Sequence, residues 1–236
     1  MKKTISLLAI LTLTLLTFAG CGSNEDNNKY AKEFKEEYES MNGKTNSKNV
    51  EYRTVQIDER NVFQKITEEK LVDKLNKNES FYIYFGSELC PWCRSVIEVA
   101  DKISRENGID IIYYLDIWDD KGNEIFRDKY TVTSDGNLEL VSNGTEGYKL
   151  VLERFDEYLL DYTLTDSNGN KIEVGEKRVY APNFAYVLNG KAIRLVTGIS
   201  SNQKDSHETL TEEMLKDEEE IFKSFFSNSC SADSKC

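Results

Sequence analysis

The clearest pattern of apolar positions lies in the middle of the chain, at residues 81–117. The run FYIYF, Phe81 to Phe85, is aromatic and β-branched without charge, which predicts a strand buried on both faces. Apolar residues then recur at helical spacing, at Val96, Ile97, Ala100 and Ile103. A second apolar run, IDIIYYLDI, predicts another buried strand. Strand, helix and strand joined by short connections predict a βαβ unit with parallel strands.

Amphipathic segments precede this unit. A helix is predicted from about Tyr30 to Met41, because aromatic and apolar residues form one stripe along it. After a polar break, NGKTNSKN, a strand is predicted near Val50 to Ile57. The segment TEEKLVDKLNK then predicts a second helix, which leads into the first buried strand.

The pattern is less regular after the βαβ unit and becomes clear again near residue 180. We predict a helix from Tyr148 to Tyr162 and a polar hairpin at TLTDSNGNKIEV. Two apolar runs then flank Asn189-Gly190, which is the strongest short-range hairpin signal. An amphipathic helix is predicted in TLTEEMLKDEEEIFKSFF, close to the end of the chain.

Residues 1–20 have the pattern of an export signal. Two lysines precede an apolar run from Ile5 to Phe18, which is shorter than the roughly 20 residues that span a bilayer. Small residues close the run before Cys21, which resembles a bacterial lipobox, where the peptide is cut before a cysteine that carries lipid. An ordinary signal peptide with a chance cysteine is the alternative. On either interpretation the mature chain works outside the cytoplasm, where disulfides persist.

The mature part is predicted to be one acidic domain on a tether. Residues 21–29 are polar and lack periodicity, so we expect a flexible tether before a domain at 30–228. Removal of residues 1–20 takes away two lysines and changes the formal charge from -12 to -14. A domain this acidic is not expected to bind nucleic acid or anionic lipid, and solubility is a sufficient reason for the charge.

The five cysteines suggest two redox pairs. If the cysteine after the signal carries lipid, the other four are Cys90 with Cys93 in CPWC, and Cys230 with Cys236 in CSADSKC. An even number outside the cytoplasm predicts oxidation within each pair. The second pair lies in a polar tail, 229–236, where a small disulfide loop either pins the last helix or passes electrons to CPWC.

A CxxC pair at the start of a helix is suited to disulfide exchange. Unsatisfied backbone N–H groups and the helix dipole favour negative charge on the first cysteine, so Cys90 is the expected nucleophile. Cys93 lies about one turn further on and is the expected resolving thiol. Pro91 suits the first position of a helix, where no hydrogen bond is lost. We expect Trp92, between the cysteines, to contribute an apolar surface for unfolded client proteins.

The two prolines of the chain lie where the thioredoxin superfamily uses them. Pro91 is inside the CxxC motif, and Pro182 follows Ala181 directly before the Asn-Gly hairpin, where that family has a cis-proline facing the active disulfide. The resemblance implies that the Ala181–Pro182 bond is cis, that it lies against the Cys90 sulfur, and that the preceding backbone pairs with a substrate strand.

The resemblance extends from about residue 50 to residue 226, with a non-matching insertion at about 118–178. It implies an α/β, thioredoxin-like fold with an N-terminal helical extension, in which the insertion separates the central βαβ unit from the cis-proline hairpin. One residue departs from the family: Tyr84 stands where thioredoxin has a buried aspartate that assists proton transfer to the second thiol. Another acid or a water would then take over that task.

The chain combines a lipobox, CPWC, APN and a terminal cysteine pair. In this combination it resembles lipoproteins of Firmicutes, some of them described as bacteriocin-maturation disulfide isomerases. The resemblance implies a thiol–disulfide oxidoreductase, lipid-anchored to the cell membrane of a bacterium. Its partners would be thiols or disulfides of exported proteins and a membrane redox partner that the sequence does not identify. No cofactor beyond the cysteine pair is expected, and no metal.

Two other classes of protein fit the cysteines less well. Four thiolates can form a tetrahedral zinc centre or a copper carrier, but proline and tryptophan are atypical of zinc knuckles, and we expect the single histidine, His207, to be a solvated loop residue. A binding module with CPWC as a structural staple is the second alternative. A disulfide that closes so short a loop constrains the unfolded chain little, so stability alone is a weak reason to keep it.

Overall fold

The computed structural model describes residues 24–119 and 121–227. The predicted signal peptide, the lipid-attachment candidate Cys21 and the tail pair Cys230 and Cys236 lie outside these residues. Within the described part of the chain, no helix combines the length and the apolar character needed to cross a membrane.

The described residues form helices and strands in alternation. The helices are α1 (Asn24–Glu39), α2 (Glu68–Asn76), α3 (Pro91–Glu106), α4 (Glu146–Phe155) and α5 (Glu212–Ser227). The strands are β1 (Phe63–Lys65), β2 (Phe81–Gly86), β3 (Ile112–Asp116), β4 (Lys129–Val132), β5 (Leu138–Ser142), β6 (Leu160–Thr165), β7 (Lys171–Arg178), β8 (Asn183–Leu188) and β9 (Lys191–Val196).

A mixed five-stranded sheet forms the centre, in the order β1-β3-β2-β8-β9. β1 and β2 both run parallel to β3, while β8 is antiparallel to β2 and β9 antiparallel to β8. Helices α1, α3 and α5 pack on one face of the sheet, and α2 and α4 pack on the other. The architecture is therefore mixed α/β, and the predicted unit of β2, α3 and β3 with parallel strands is confirmed.

The central strand β2 is buried along its whole length, as predicted. Its side chains alternate between the two faces. Tyr82 and Tyr84 contribute to the core beneath α1, α3 and α5, while Phe81, Ile83 and Phe85 contribute to the core beneath α2 and α4. One apolar run thus contributes side chains with phenol hydroxyls to one core and side chains without any polar group to the other.

Two predictions before the sheet are wrong. Helix α1 runs over Asn24–Glu39, so it begins six residues before the predicted helix and includes residues 24–29 of the predicted tether. Within this helix the Lys29 ammonium lies 3.8 Å from a Glu33 carboxylate oxygen, one turn further on.

No strand forms at Val50 to Ile57, although Val55 and Ile57 are buried. The backbone there bonds to side chains instead of a neighbouring strand. The N–H of Val55 donates to Asn42 Oδ1 at 3.0 Å, and its carbonyl accepts from Asn42 Nδ2 at 2.9 Å. The sheet instead gains β1, which the sequence pattern did not reveal.

The insertion contains a hairpin, a helix and a second hairpin. The predicted helix from Tyr148 to Tyr162 is wrong in its second half, because α4 ends at Phe155 and a short 3-10 turn leads into β6. Pairing of β6 with β7 across a turn containing Gly169 (φ 86°) places Tyr162 in a strand, where it is buried. The predicted polar hairpin is confirmed and is longer than expected.

The last predicted elements are confirmed. β8 and β9 form a hairpin around Asn189 and Gly190, whose positive φ angles of 51° and 74° suit a tight turn. Helix α5 follows and packs against α3. The Thr211 hydroxyl accepts the N–H of Met214 at 3.2 Å and so caps α5.

Candidate active site at the CPWC pair

The two cysteines of CPWC lie at the N-terminus of α3, directly after the end of β2. Cys90 is the residue that caps the helix, and its sulfur accepts the N–H of Cys93 at 3.4 Å. Pro91 is the first helical residue, as predicted. The two sulfurs are free thiols, so the structure describes the dithiol and not the oxidised pair that the sequence predicts.

The Cys90 sulfur faces the segment before β8. The Ala181–Pro182 bond is cis, and the Cys90 thiol donates to the Ala181 carbonyl at 3.6 Å. Asn183 is buried and accepts the N–H of Tyr180 at 2.9 Å, which holds this segment against the sheet. The predicted isomer and the predicted contact with Cys90 are both confirmed.

The two thiols differ in their access to solvent. Cys90 is 3% exposed and Cys93 is 0% exposed. Trp92 and Ala181 are half-buried and pack against the same core, whereas Pro182 is buried. The approach to the pair is therefore from the side where Trp92 and Ala181 meet solvent, with Cys90 ahead of Cys93.

Cys93 contacts a buried pair of tyrosines. The Tyr84 hydroxyl neighbours the Cys93 thiol and lies 2.6 Å from the Tyr38 hydroxyl, which α1 supplies. Burial raises the pKa of the Cys93 thiol well above its usual range, and the neighbouring Cys90 sulfur raises it further. The hydrogen bond with Tyr84 opposes this rise, so Tyr84 favours the thiolate.

Arg94, the residue after the pair, connects α3 to the N-terminal part of the chain. Its buried guanidinium donates to the carbonyl of Arg53 at 2.7 Å, to that of Tyr38 at 2.8 Å and to Asn42 Oδ1 at 2.7 Å. Charge-assisted hydrogen bonds of this kind fix geometry well. The N-terminal helix therefore contacts the site twice: the Tyr38 hydroxyl contacts Tyr84, and the Tyr38 carbonyl accepts a hydrogen bond from Arg94.

Three carboxylates lie beside the tyrosines: Glu37, Glu88 and Asp116, each with an oxygen within 4.8 Å of the others. Lys65 bridges two of them, at 2.7 Å from Glu37 and 3.4 Å from Asp116. Burial raises the pKa of Glu88 and of Asp116, while backbone hydrogen bonds oppose the rise. An ammonium group already occupies the space between two of the three carboxylates, so we do not assign a cation to the cluster.

The residues of the site separate into those that sequence reasoning found and those it missed. Cys90, Cys93, Trp92, Ala181 and Pro182 come together, whereas the tail pair and Cys21 lie outside the described residues. His207 is exposed, and its N–H donates to Asp205 in the same loop. Tyr38 and Arg94 were missed because no local pattern marks them. Tyr84 was noticed only as a departure.

Comparisons with known proteins leave the chain unassigned. A scan against protein-family models found no match, and a search of curated proteins found none. Any functional conclusion therefore rests on the site itself.

Proposed function

We propose that the protein is a thiol–disulfide oxidoreductase of thioredoxin-like fold that acts on cysteines of exported proteins. One observation carries the proposal: the Cys90 sulfur sits at the N-terminus of α3 and faces the Ala181 carbonyl, with Cys93 one turn behind it. This arrangement gives one thiol access to a client and the other access only to the first thiol.

The strand order supports the fold assignment. The sheet has the topology expected of a thioredoxin-like domain. Its order is β1-β3-β2-β8-β9, in which β1, β3 and β2 are parallel and β8 is antiparallel to β2. In this description α1 is an N-terminal extension. The segment with β4 to β7 is an insertion before β8.

The reaction needs only the two thiols and a client disulfide. The Cys90 thiolate attacks one client sulfur, the client S–S bond breaks, and the other client sulfur leaves as a thiolate that takes a proton. The Cys93 thiolate then attacks Cys90, forms the Cys90–Cys93 disulfide and releases the second client thiol. Two electrons pass from the cysteine pair to the client, and the reverse sequence oxidises a client dithiol.

A client chain has two features to bind. The carbonyl of the half-buried Ala181 lies beside Cys90 and can accept an N–H from an extended client backbone. Trp92 supplies half-buried aromatic surface on the other side of the pair. Lipid attachment at Cys21, location outside the cytoplasm and a membrane redox partner belong to the same proposal and rest on the sequence.

Trapping of mixed disulfides tests the proposal. In the Cys93→Ser variant the second step is blocked, so exported proteins should remain joined to Cys90 in bonds that dithiothreitol cleaves. The matched Cys90→Ser variant should trap none, because the remaining thiol is fully buried. Equal alkylation of the two thiols at pH 7, with no trapped adducts, would exclude the mechanism.

A further inference from the structure

Tyr84 lies in a place where its hydroxyl can act only on its immediate neighbours. Tyr84 and Cys93 are both 0% exposed, and so is Tyr38. The hydroxyl contacts the Cys93 thiol on one side and the Tyr38 hydroxyl, at 2.6 Å, on the other. The three groups form a chain from α1 through β2 to α3.

The orientation of the Tyr84 ring is fixed by its neighbours in the sheet. Tyr114 of β3 and Phe184 of β8 are its partners in the strand register, and their rings stack on it with centroids at 5.4 and 4.4 Å. Gly86 leaves room for the hydroxyl, since a side chain there would occupy the same space. The ring and its hydroxyl are thus held in place by packing, within the core that also contains Cys93.

We propose that Tyr84 is a catalytic residue that donates a hydrogen bond to the Cys93 thiolate during the resolving step, and that Tyr38 is a positioning residue that donates to Tyr84. The inference rests on the proposed function, since it assigns a role within the same reaction.

The donor role follows from the protonation of both phenols. Burial raises the pKa of Tyr38 and of Tyr84 well above the usual range, so both keep their protons at neutral pH. A phenol has one proton to donate. If Tyr84 donates its proton to Cys93, its oxygen is left to accept the proton that Tyr38 donates. A buried aspartate would accept a proton from the thiol, whereas a protonated tyrosine stabilises the thiolate by donating.

Stabilisation of the Cys93 thiolate by Tyr84 matters most when a client is attached to Cys90. In the dithiol, the Cys90 sulfur is one of the groups that raise the pKa of Cys93. A mixed disulfide carries no charge on Cys90, which leaves burial as the main opposing effect. The Tyr84 hydroxyl and the backbone of Ser87 then face Cys93 as the groups that favour the thiolate. The proton of Cys93 passes to solvent, and the departing client sulfur takes up a proton.

An aromatic disulfide reagent separates the two steps. Reaction with 5,5′-dithiobis(2-nitrobenzoate) gives a coloured thiolate when Cys90 attacks, and a second coloured thiolate when Cys93 displaces the group left on Cys90. Loss of a hydrogen bond to a charged group in Tyr84→Phe should raise the pKa of Cys93 in the adduct by about one to two pH units. A more basic thiolate is more nucleophilic, so the second release should slow by only about three- to tenfold at pH 7.

The pH profile separates a donor from a structural support. The rate of the second release should level off about one to two pH units higher in Tyr84→Phe, and above that pH the variant should be no slower than the wild type. Tyr38→Phe should show a smaller displacement. Tyr114→Phe is the matched control, because it removes a buried hydroxyl that bonds to Glu37 and should leave the profile unchanged.

The outcomes distinguish this inference from the proposed function. An unchanged profile in Tyr84→Phe, or an equal displacement in Tyr114→Phe, overturns the role of Tyr84 while the first release still reports Cys90. Failure of Cys90 to react in the Cys93→Ser variant overturns the proposed function itself.

Discussion

The two faces of β2 are equally buried and differ in chemistry. Tyr82 and Tyr84 point to the face covered by α1, α3 and α5, where Tyr84 reaches Cys93. Phe81, Ile83 and Phe85 point to the face covered by α2 and α4, where no described side chain of β2 carries a polar group. One strand therefore contributes phenol groups to the candidate active site on one side and only hydrocarbon side chains to the core under the insertion on the other.

The difference shows that burial alone does not separate a site from a core. Phe85 packs against Phe126 and Phe155 at centroid distances of 6.0 and 5.8 Å, and its contribution is packing. Tyr84 packs as tightly and carries, in addition, a hydroxyl between two polar groups. We therefore expect substitutions on the apolar face to change stability, and hydroxyl deletions on the other face to change reactivity.

The largest expected loss of stability is that of Phe85→Ala. Removal of a fully buried aromatic ring should lower the free energy of unfolding by about 3–5 kcal/mol, measured by urea denaturation. Alkylation of Cys90 in the folded variant should be unchanged, because Phe85 belongs to the other core. A large change in Cys90 reactivity at full folding would contradict the separation of the two faces.

The second prediction concerns the pH dependence of stability, which we expect to depend on Glu218 of α5. This residue is a buried acid on the same face of the sheet as CPWC. It is 0% exposed, and neither carboxylate oxygen has a hydrogen-bond partner in the described part of the chain. Burial raises its pKa to about 8, with Arg53 opposing and Asp217 adding to the rise. The folded protein thus holds a proton that the unfolded chain loses near its ordinary pKa, so stability falls as pH rises from about 4.5 to about 8.

Glu218→Gln removes this dependence. The variant should match the wild type at pH 4 and exceed its free energy of unfolding by on the order of 2–4 kcal/mol at pH 9. Glu219→Gln is the neighbouring control: hydrogen bonding to Lys102 lowers the pKa of Glu219, so its removal should give no gain at high pH. An equal difference for Glu218→Gln at both pH values would show that folding does not raise the pKa of Glu218.

Tyr84→Phe is expected to change stability less than either of these substitutions. It removes one hydrogen bond, with Tyr38, and keeps the ring contacts, so the free energy of unfolding should fall by about 1 kcal/mol. A loss as large as that of Phe85→Ala would mean that the hydroxyl has mainly a structural role.

The tail cysteines are expected to have the smallest effect on the reaction itself. Phe225 and Phe226 pack on Tyr82, near the start of β2, whereas CPWC follows its other end. Cys230 follows Ser227 by three residues, a span of at most about 10 Å, and a disulfide would keep the Cα of Cys236 within about 7 Å of that of Cys230. We therefore expect Cys230→Ser/Cys236→Ser to turn over a disulfide client normally, with stability lower by about 2 kcal/mol or less. Lost turnover at unchanged stability would instead support electron transfer through the tail.

Sequence patterns predicted the parts of the fold that depend on local periodicity. The βαβ unit and the hairpin at Asn189 follow from apolar runs and a turn signal, and the placing of Pro182 beside Cys90 follows from a resemblance. The segment at 50–57 was misjudged because its backbone partners are side chains distant in the chain. The contact between Tyr38 and Tyr84 spans 46 residues and depends on how α1 packs, which periodicity does not specify.

The reduction potential of the Cys90–Cys93 couple decides whether CPWC is a redox pair or a structural staple. The fraction of Cys90–Cys93 disulfide would be measured in glutathione buffers of graded ratio, with alkylation and mass determination. We predict a potential between about −270 and −120 mV, the range of CxxC proteins that exchange disulfides with clients. A potential well below about −300 mV would mark a structural disulfide and contradict the account.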